Sequence, residues 1–146
     1  MSTVLPLTAA DHDDWLTLWS GYLEFYESEL SPAQTELTFQ RLVADVELHG
    51  SIARDDAGRA IGIVHWLTHP ATWSAGPYCY LEDLFVAPDA RGAGTGAALI
   101  AHVRTWASEH DCAKVYWLTK HGNRVARQLY DRLAADTGFV HYSIEL

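Results

Sequence analysis

Between Leu81 and Glu109 an apolar strand, a glycine turn and an amphipathic helix follow one another with almost no spacer. The strand is Leu81-Glu82-Asp83-Leu84-Phe85-Val86, the turn Arg91-Gly92-Ala93-Gly94-Thr95-Gly96, and the helix keeps Leu99, Ile100, Val103 and Trp106 on one side. Glycines let a backbone approach a ligand closely, and a helix start offers unpaired N–H groups. The combination is a cradle for a phosphate or pyrophosphate. Two familiar nucleotide loops are excluded. A Walker loop needs Gly-Lys-Ser/Thr at its end, and Gly96 is followed by Ala97. The spacing Gly92-x-Gly94-x-Gly96 is not a dinucleotide fingerprint.

The 146 residues suit one domain, 1–146, around a single core. An edge strand is predicted over Thr3–Leu7. A first helix follows, capped by Thr8 or Asp11, with Trp15, Leu18, Trp19, Tyr22, Leu23 and Tyr26 at helical spacing. Ser31-Pro32 opens a second helix, which runs to about Leu48. Ser51–Arg54 and Ala60–Leu67 form a hairpin around Asp55–Gly58, and His69–Pro77 is a loop. Tyr78–Val86, Lys114–Leu118 and Phe139–Leu146 read as strands, and Gly94–Glu109 and Gly122–Ala135 as helices. This order predicts an α+β or α/β fold, a mixed sheet covered by helices on both faces.

The net charge of −9 argues against a nucleic-acid-binding module and weakly favours cationic substrates. Cys79 and Cys112 lack zinc-site or disulfide-framework spacing, and read as thiols in a reducing compartment. No signal peptide or run of about 20 apolar residues is visible, so a cytoplasmic protein with no membrane partner is expected. The eight histidines give no metal motif: His69 precedes Pro70 at a strand end, and HExxH is absent. No metal is expected.

The acidic strand, Pro88, Arg91-x-x-Gly94-x-Gly96, Asn123-x-x-Ala126-x-x-x-Tyr130, Gly138-Phe139 and Tyr142 together resemble the GNAT superfamily of acyl-CoA-dependent N-acyltransferases. The acidic strand looks most like the diamine and thialysine acetyltransferase branch. Ala134-Ala135-Asp136-Thr137 before Gly138 departs from the pattern of many relatives, which reach Gly-Phe directly after the helix. The resemblance implies a three-layer α+β fold. Its mixed, mostly antiparallel sheet would have six to seven strands, a splayed central pair and about four flanking helices. It implies acetyl-CoA as co-substrate, direct attack by a primary amine of a small molecule (polyamine, diamine or amino-acid-like), and commonly a homodimer. In that frame Arg91, Gly92, Ala93, Gly94, Thr95 and Gly96 bind the pyrophosphate. Backbone groups of Leu84, Phe85 and Val86 bind the pantetheine arm, with those near Phe85 and Val86 stabilising the oxyanion. Asn123 contacts the arm, and Tyr130 protonates the departing thiolate.

The residues leave alternatives open. Tyr130 also fits a core position and Asn123 a helix N-cap. Glu82 is the candidate base for the attacking amine. Alternation turns Asp83 to the opposite strand face unless a bulge intervenes. Glu24, Tyr26 and Trp66 are further candidates for the acceptor site, against solvated or core roles. Two other functions fit the same motifs: acetylation of a protein lysine or N-terminus, and a non-catalytic acyl-CoA-binding module.

Overall fold

The computed structural model describes residues 2–146. They divide into one compact unit ending at Tyr116 and a second, Trp117–Leu146.

The first unit is built on strands β1 (Thr3–Pro6), β2 (His49–Arg54), β3 (Ala60–His69), β4 (Tyr78–Val86) and β5 (Lys114–Tyr116), lying side by side in sequence order. Neighbours are antiparallel except β4 and β5, which are parallel. Helices α1 (His12–Phe25) and α2 (Pro32–Ala44) precede the hairpin, and α3 (Thr95–Glu109) joins β4 to β5. The Ser31 hydroxyl accepts from the Gln34 amide at 3.1 Å and Pro32 occupies the first turn, so α2 starts where its sequence predicts. It stops earlier than Leu48, because Asp45 turns left-handed (φ 55°) and its carboxylate bonds the His49 ring at 2.6 Å.

Helices cover both faces, as expected for the fold class. On one, Trp15, Leu18 and Trp19 of α1 and Phe39 and Leu42 of α2 pack with Ile52, Ile63 and Phe85. Burying each such aliphatic or aromatic side chain contributes about 1.5–3 kcal/mol. A Cβ on Gly21 would lie 2.9 Å from Phe85 Cζ, so α1 runs close over β4. On the other face α3 crosses β3 at Gly62, where a Cβ would meet Leu99 Cδ1 and the Phe85 carbonyl oxygen at 3.1 Å.

In the second unit α4 (Arg124–Leu133) is the regular element. The strand expected over Phe139–Leu146 does not form. Those residues pair with no strand and are exposed, Phe139 at 91% and Tyr142 at 90%. A strand exists only through ladder bonds to a neighbour, and among the described residues none pairs with this segment. Among the described residues the sheet therefore has five strands, fewer than the six to seven anticipated.

Candidate active site

The glycine turn follows a short 3-10 turn, Pro88–Ala90. Gly92 (φ 85°) and Gly94 (φ 87°) are left-handed, a conformation costing other residues roughly 1–2 kcal/mol. A Cβ on either would meet nothing within 4 Å. The turn thus needs glycine for its backbone angles, and its outer side is open for a ligand. Gly94 caps α3, while Thr95, the first helical residue, is buried. The first amides of α3 are the ready donors of a helix N-terminus.

Arg91 is tied to the strand before the turn. Its Nε donates to the Val86 carbonyl oxygen at 3.0 Å, and its guanidinium lies over the Phe85 and Phe25 rings at 5.5 and 5.8 Å. The β4–β5 ladder covers only Tyr78, Cys79 and Tyr80 against Lys114, Val115 and Tyr116. Beyond Tyr80 the β4 edge, with Leu84, Phe85 and Val86, has no strand partner on the β5 side. These three pair on their other side with Val64, Ile63 and Gly62.

The β3–β4 ladder contains a bulge that changes the expected geometry. Trp66 opposes Leu81 and His65 opposes Asp83, so Glu82 is the extra residue. Strict alternation would have put Asp83 on the α3 face. The bulge instead sets it opposite His65 on the α1 face. Trp66, an expected acceptor-site candidate, points the other way. It is 3% exposed and packs against His102 and Trp106 of α3.

Around Asp83 a polar chain runs through the core. The Trp15 indole donates to His65 Nε2 at 3.0 Å, and His65 Nδ1 lies 2.9 Å from Asp83 Oδ2. Trp19, Tyr22 and Tyr26 form a ladder of rings beside it, with centroids 5.2 and 4.9 Å apart. Burial, then the Asp83 charge and a hydrogen bond to it, push the Tyr22 hydroxyl far above the ordinary phenol range. Burial and the same carboxylate raise Tyr26. The Glu82 carboxyl is accessible but crowded. Burial first, and the Asp83 charge second, lift it above the ordinary carboxylate value. Among the described residues, neither Glu82 nor Asp83 forms an ion pair with Lys or Arg.

Glu24 lies elsewhere. It lines a cleft of about 800 Å³ with Ser20, Leu23, Glu27, Ser28, Glu29 and Leu30, which excludes Glu82 and Asp83. In the second unit, Tyr130 is half-buried on α4, its ring edge-on to Trp117 at 5.4 Å. Asn123 precedes α4 and donates from Nδ2 to the Thr119 hydroxyl at 3.3 Å rather than capping the helix with its side chain. Among the described residues, no group of three His, Cys, Asp or Glu could hold a metal ion, and no helix is long and apolar enough to cross a membrane.

Residues 13–135 match the family described as Acetyltransferase (GNAT) family. The chain belongs to the GNAT acetyltransferases. It is 37% identical over 134 residues to the D-amino-acid N-acetyltransferase HPA3 of Saccharomyces cerevisiae, covering 90% of this chain and 83% of that protein. Two solved structures share the fold. One is the ribosomal-protein-alanine N-acetyltransferase of Brucella melitensis biovar Abortus 2308 (TM-score 0.84, 22% identity, all of both chains covered). The other is AAC(6')-Iy in complex with the bisubstrate analogue CoA-S-monomethyl-acetylneamine (TM-score 0.86, 19% identity, 100% and 99% covered). This GNAT chain is an acetyl-CoA-dependent N-acetyltransferase acting on an amine. The open left-handed turn, the α3 amides and the unpaired β4 edge are the chain's own features that suit a bound CoA.

The sequence alone does not join Trp15 to His65. One signal is present: His65 stands alone as a polar residue in the apolar run Ile61-Gly62-Ile63-Val64-His65-Trp66. A histidine there needs partners on both ring nitrogens.

Proposed function

We propose that this protein acetylates the primary amine of a small cationic acceptor, a polyamine, a diamine or an amino-acid-like amine, from a single domain spanning 1–146. One observation carries the reading. Glu82 and Asp83 are adjacent carboxylates beside a tyrosine and tryptophan wall, and among the described residues no Lys or Arg forms an ion pair with either, although the Arg41 charge acts on Glu82 through space and the net effect still raises its pKa. Such a place suits an ammonium group, through charge and ring faces together. The relative named for D-amino acids supports an amino-acid-like acceptor.

Acetyl-CoA supplies an acetyl group activated as a thioester. Glu82 takes the proton from the acceptor ammonium, which frees the nitrogen lone pair to attack the thioester carbonyl; the C–N bond forms in a tetrahedral intermediate, whose collapse breaks the C–S bond. The raised pKa of its carboxyl makes it a stronger base than an ordinary glutamate. Backbone groups of Leu84, Phe85 and Val86 hold the pantetheine arm and, near Phe85 and Val86, the carbonyl oxygen. Residues Arg91 to Gly96 and Asn123 bind the rest of the cofactor. Tyr130 gives its proton to the leaving sulfur, the acylated nitrogen sheds its second proton to restore the tyrosine hydroxyl, Glu82 returns its proton to water, and the products are the amide and free CoA.

The deciding experiment measures thiol release from acetyl-CoA against D- and L-amino acids, linear diamines, an aminoglycoside and a lysine-containing peptide. Turnover with a small amine and none with the peptide is expected. Preference for the peptide, or acetyl-CoA binding without release for every amine, would overturn the reading. The proposal includes a homodimer. On α4 and after it Val125, Leu133, Val140, Tyr142 and Ile144 are exposed, and a second copy would cover such apolar surface. Light scattering at micromolar concentration tests it, with a monomer as the opposing result.

A further inference from the structure

We propose that His65 is a positioning residue for the acceptor amine: Trp15 fixes its tautomer, and the fixed N–H aims the Asp83 carboxylate at the acceptor's ammonium group. The inference rests on the amine-acetyltransferase reading above.

An indole N–H donates and cannot accept. Trp15 is completely buried, and its Nε1 lies 3.0 Å from His65 Nε2, so that nitrogen presents its lone pair. The ring's proton then sits on Nδ1 and is donated to Asp83 Oδ2 at 2.9 Å. The alternative tautomer would set two N–H groups against each other in a dry core, where an unsatisfied donor costs free energy. The His65 side chain is 4% exposed, so water cannot relieve that conflict. The bulge at Glu82 is what brings Asp83 opposite His65.

Asp83 therefore has a neutral donor in the His65 Nδ1–H. Its side chain is 14% exposed, and among the described residues no Lys or Arg pairs with it. Neutral donors orient a carboxylate and leave its charge uncompensated. The missing positive charge is that of the ligand, and a primary ammonium group supplies it. Glu82 beside it removes the proton; Asp83 holds the head group, and His65 acts only through Asp83.

Two substitutions separate positioning from packing. In His65→Asn the amide nitrogen takes the place of Nδ1 and still donates to Asp83. In His65→Gln the amide oxygen takes the place of Nε2, accepts from Trp15 and leaves Asp83 without its donor. With the fastest acceptor of the amine panel, His65→Gln is expected to raise the acceptor KM about tenfold, the scale of a hydrogen bond to a charged group. The acetyl-CoA KM stays unchanged, and His65→Asn restores the acceptor KM to near wild type. Equal acceptor KM values for the two variants, or parallel changes in both substrates' KM, overturn the proposal. Long-range ¹H–¹⁵N correlation spectra of the ligand-free protein give a readout independent of turnover. The proton is expected on Nδ1 of His65 in the wild type, and on both nitrogens in exchange in Trp15→Phe. An Nε2–H ring in an active enzyme overturns this inference alone. No turnover with any amine overturns the functional reading and this inference with it.

Discussion

Arg91 donates through Nε to the Val86 carbonyl oxygen at 3.0 Å, so the residue that opens the glycine turn is anchored to the end of the strand before it. The guanidinium is thereby both a brace and a positive charge at the mouth of the turn. Arg91→Ala is expected to weaken acetyl-CoA binding about fivefold to tenfold, from loss of one charged hydrogen bond and its stacking on Phe85. The acceptor KM stays within twofold. Calorimetry with CoA checks it, and unchanged affinity would separate the brace from cofactor binding.

Glu82 gives opposite signs for stability and activity. Its folded pKa lies above the ordinary 4.5, because burial and Asp83 disfavour the charged form. The folded state therefore binds the proton more tightly than the unfolded chain. Stability falls as pH rises from about 4.5 through the raised value. Glu82→Gln should raise the melting temperature at pH 7, with the gain vanishing below pH 4.5, and should lower kcat about 100-fold. The acid limb of kcat/KM should lie above the ordinary carboxylate value and disappear in the variant. Melting curves and pH–rate profiles read both.

Tyr130→Phe should lower kcat about 100-fold and leave CoA affinity unchanged. A thiol-release assay under conditions where chemistry limits the rate tests this. Full turnover would remove the hydroxyl from the reaction.

Arg54 binds Asp11 at 2.7 Å and Asp14 at 2.8 Å, clasping the start of α1 to β2. Arg54→Ala should cost about 1–2 kcal/mol in urea unfolding. Burial opposes ionisation of Asp11, but the Thr8 amide and Arg54 outweigh it and hold its pKa below 3.8. Its contribution is thus present above pH 3.8 and lost as pH falls through the lowered folded value. Acid unfolding of Arg54→Ala should begin at higher pH than that of the wild type.

Gly62→Ala should destabilise the first unit by about 1–3 kcal/mol, since the added methyl meets the Phe85 carbonyl oxygen at 3.1 Å. Denaturant unfolding checks this, and a neutral result would mean that the β4 backbone at Phe85 can give way to the added methyl.

Local chemistry made much of this legible from sequence. The left-handed glycines announce the turn, and Ser31-Pro32 fixes the start of α2 through one hydroxyl. The hairpin at Asp55 is written in its carboxylate, which accepts from the Ala57 and Arg59 amides. What escaped depends on pairing between distant residues. Alternation counts faces correctly until a bulge adds a residue, and nothing in Leu81-Glu82-Asp83 says that β3 will skip Glu82. Trp15 and His65 are fifty positions apart, so their bond needs the fold to exist first. Phe139–Leu146 has the composition of a strand, but a strand also needs a neighbour.

The bulge also makes Glu82 unusually removable. Because Leu81 already opposes Trp66 and Asp83 already opposes His65, excising Glu82 would leave a regular ladder with every later side chain on its present face. Deleting Leu84 would swing Phe85 and Val86 to the wrong sides of the sheet. In evolutionary terms the proposed base sits on a single codon that can be inserted or lost without re-indexing the strand. Catalytic and silent relatives of this chain could therefore differ by one residue of length while keeping the same core.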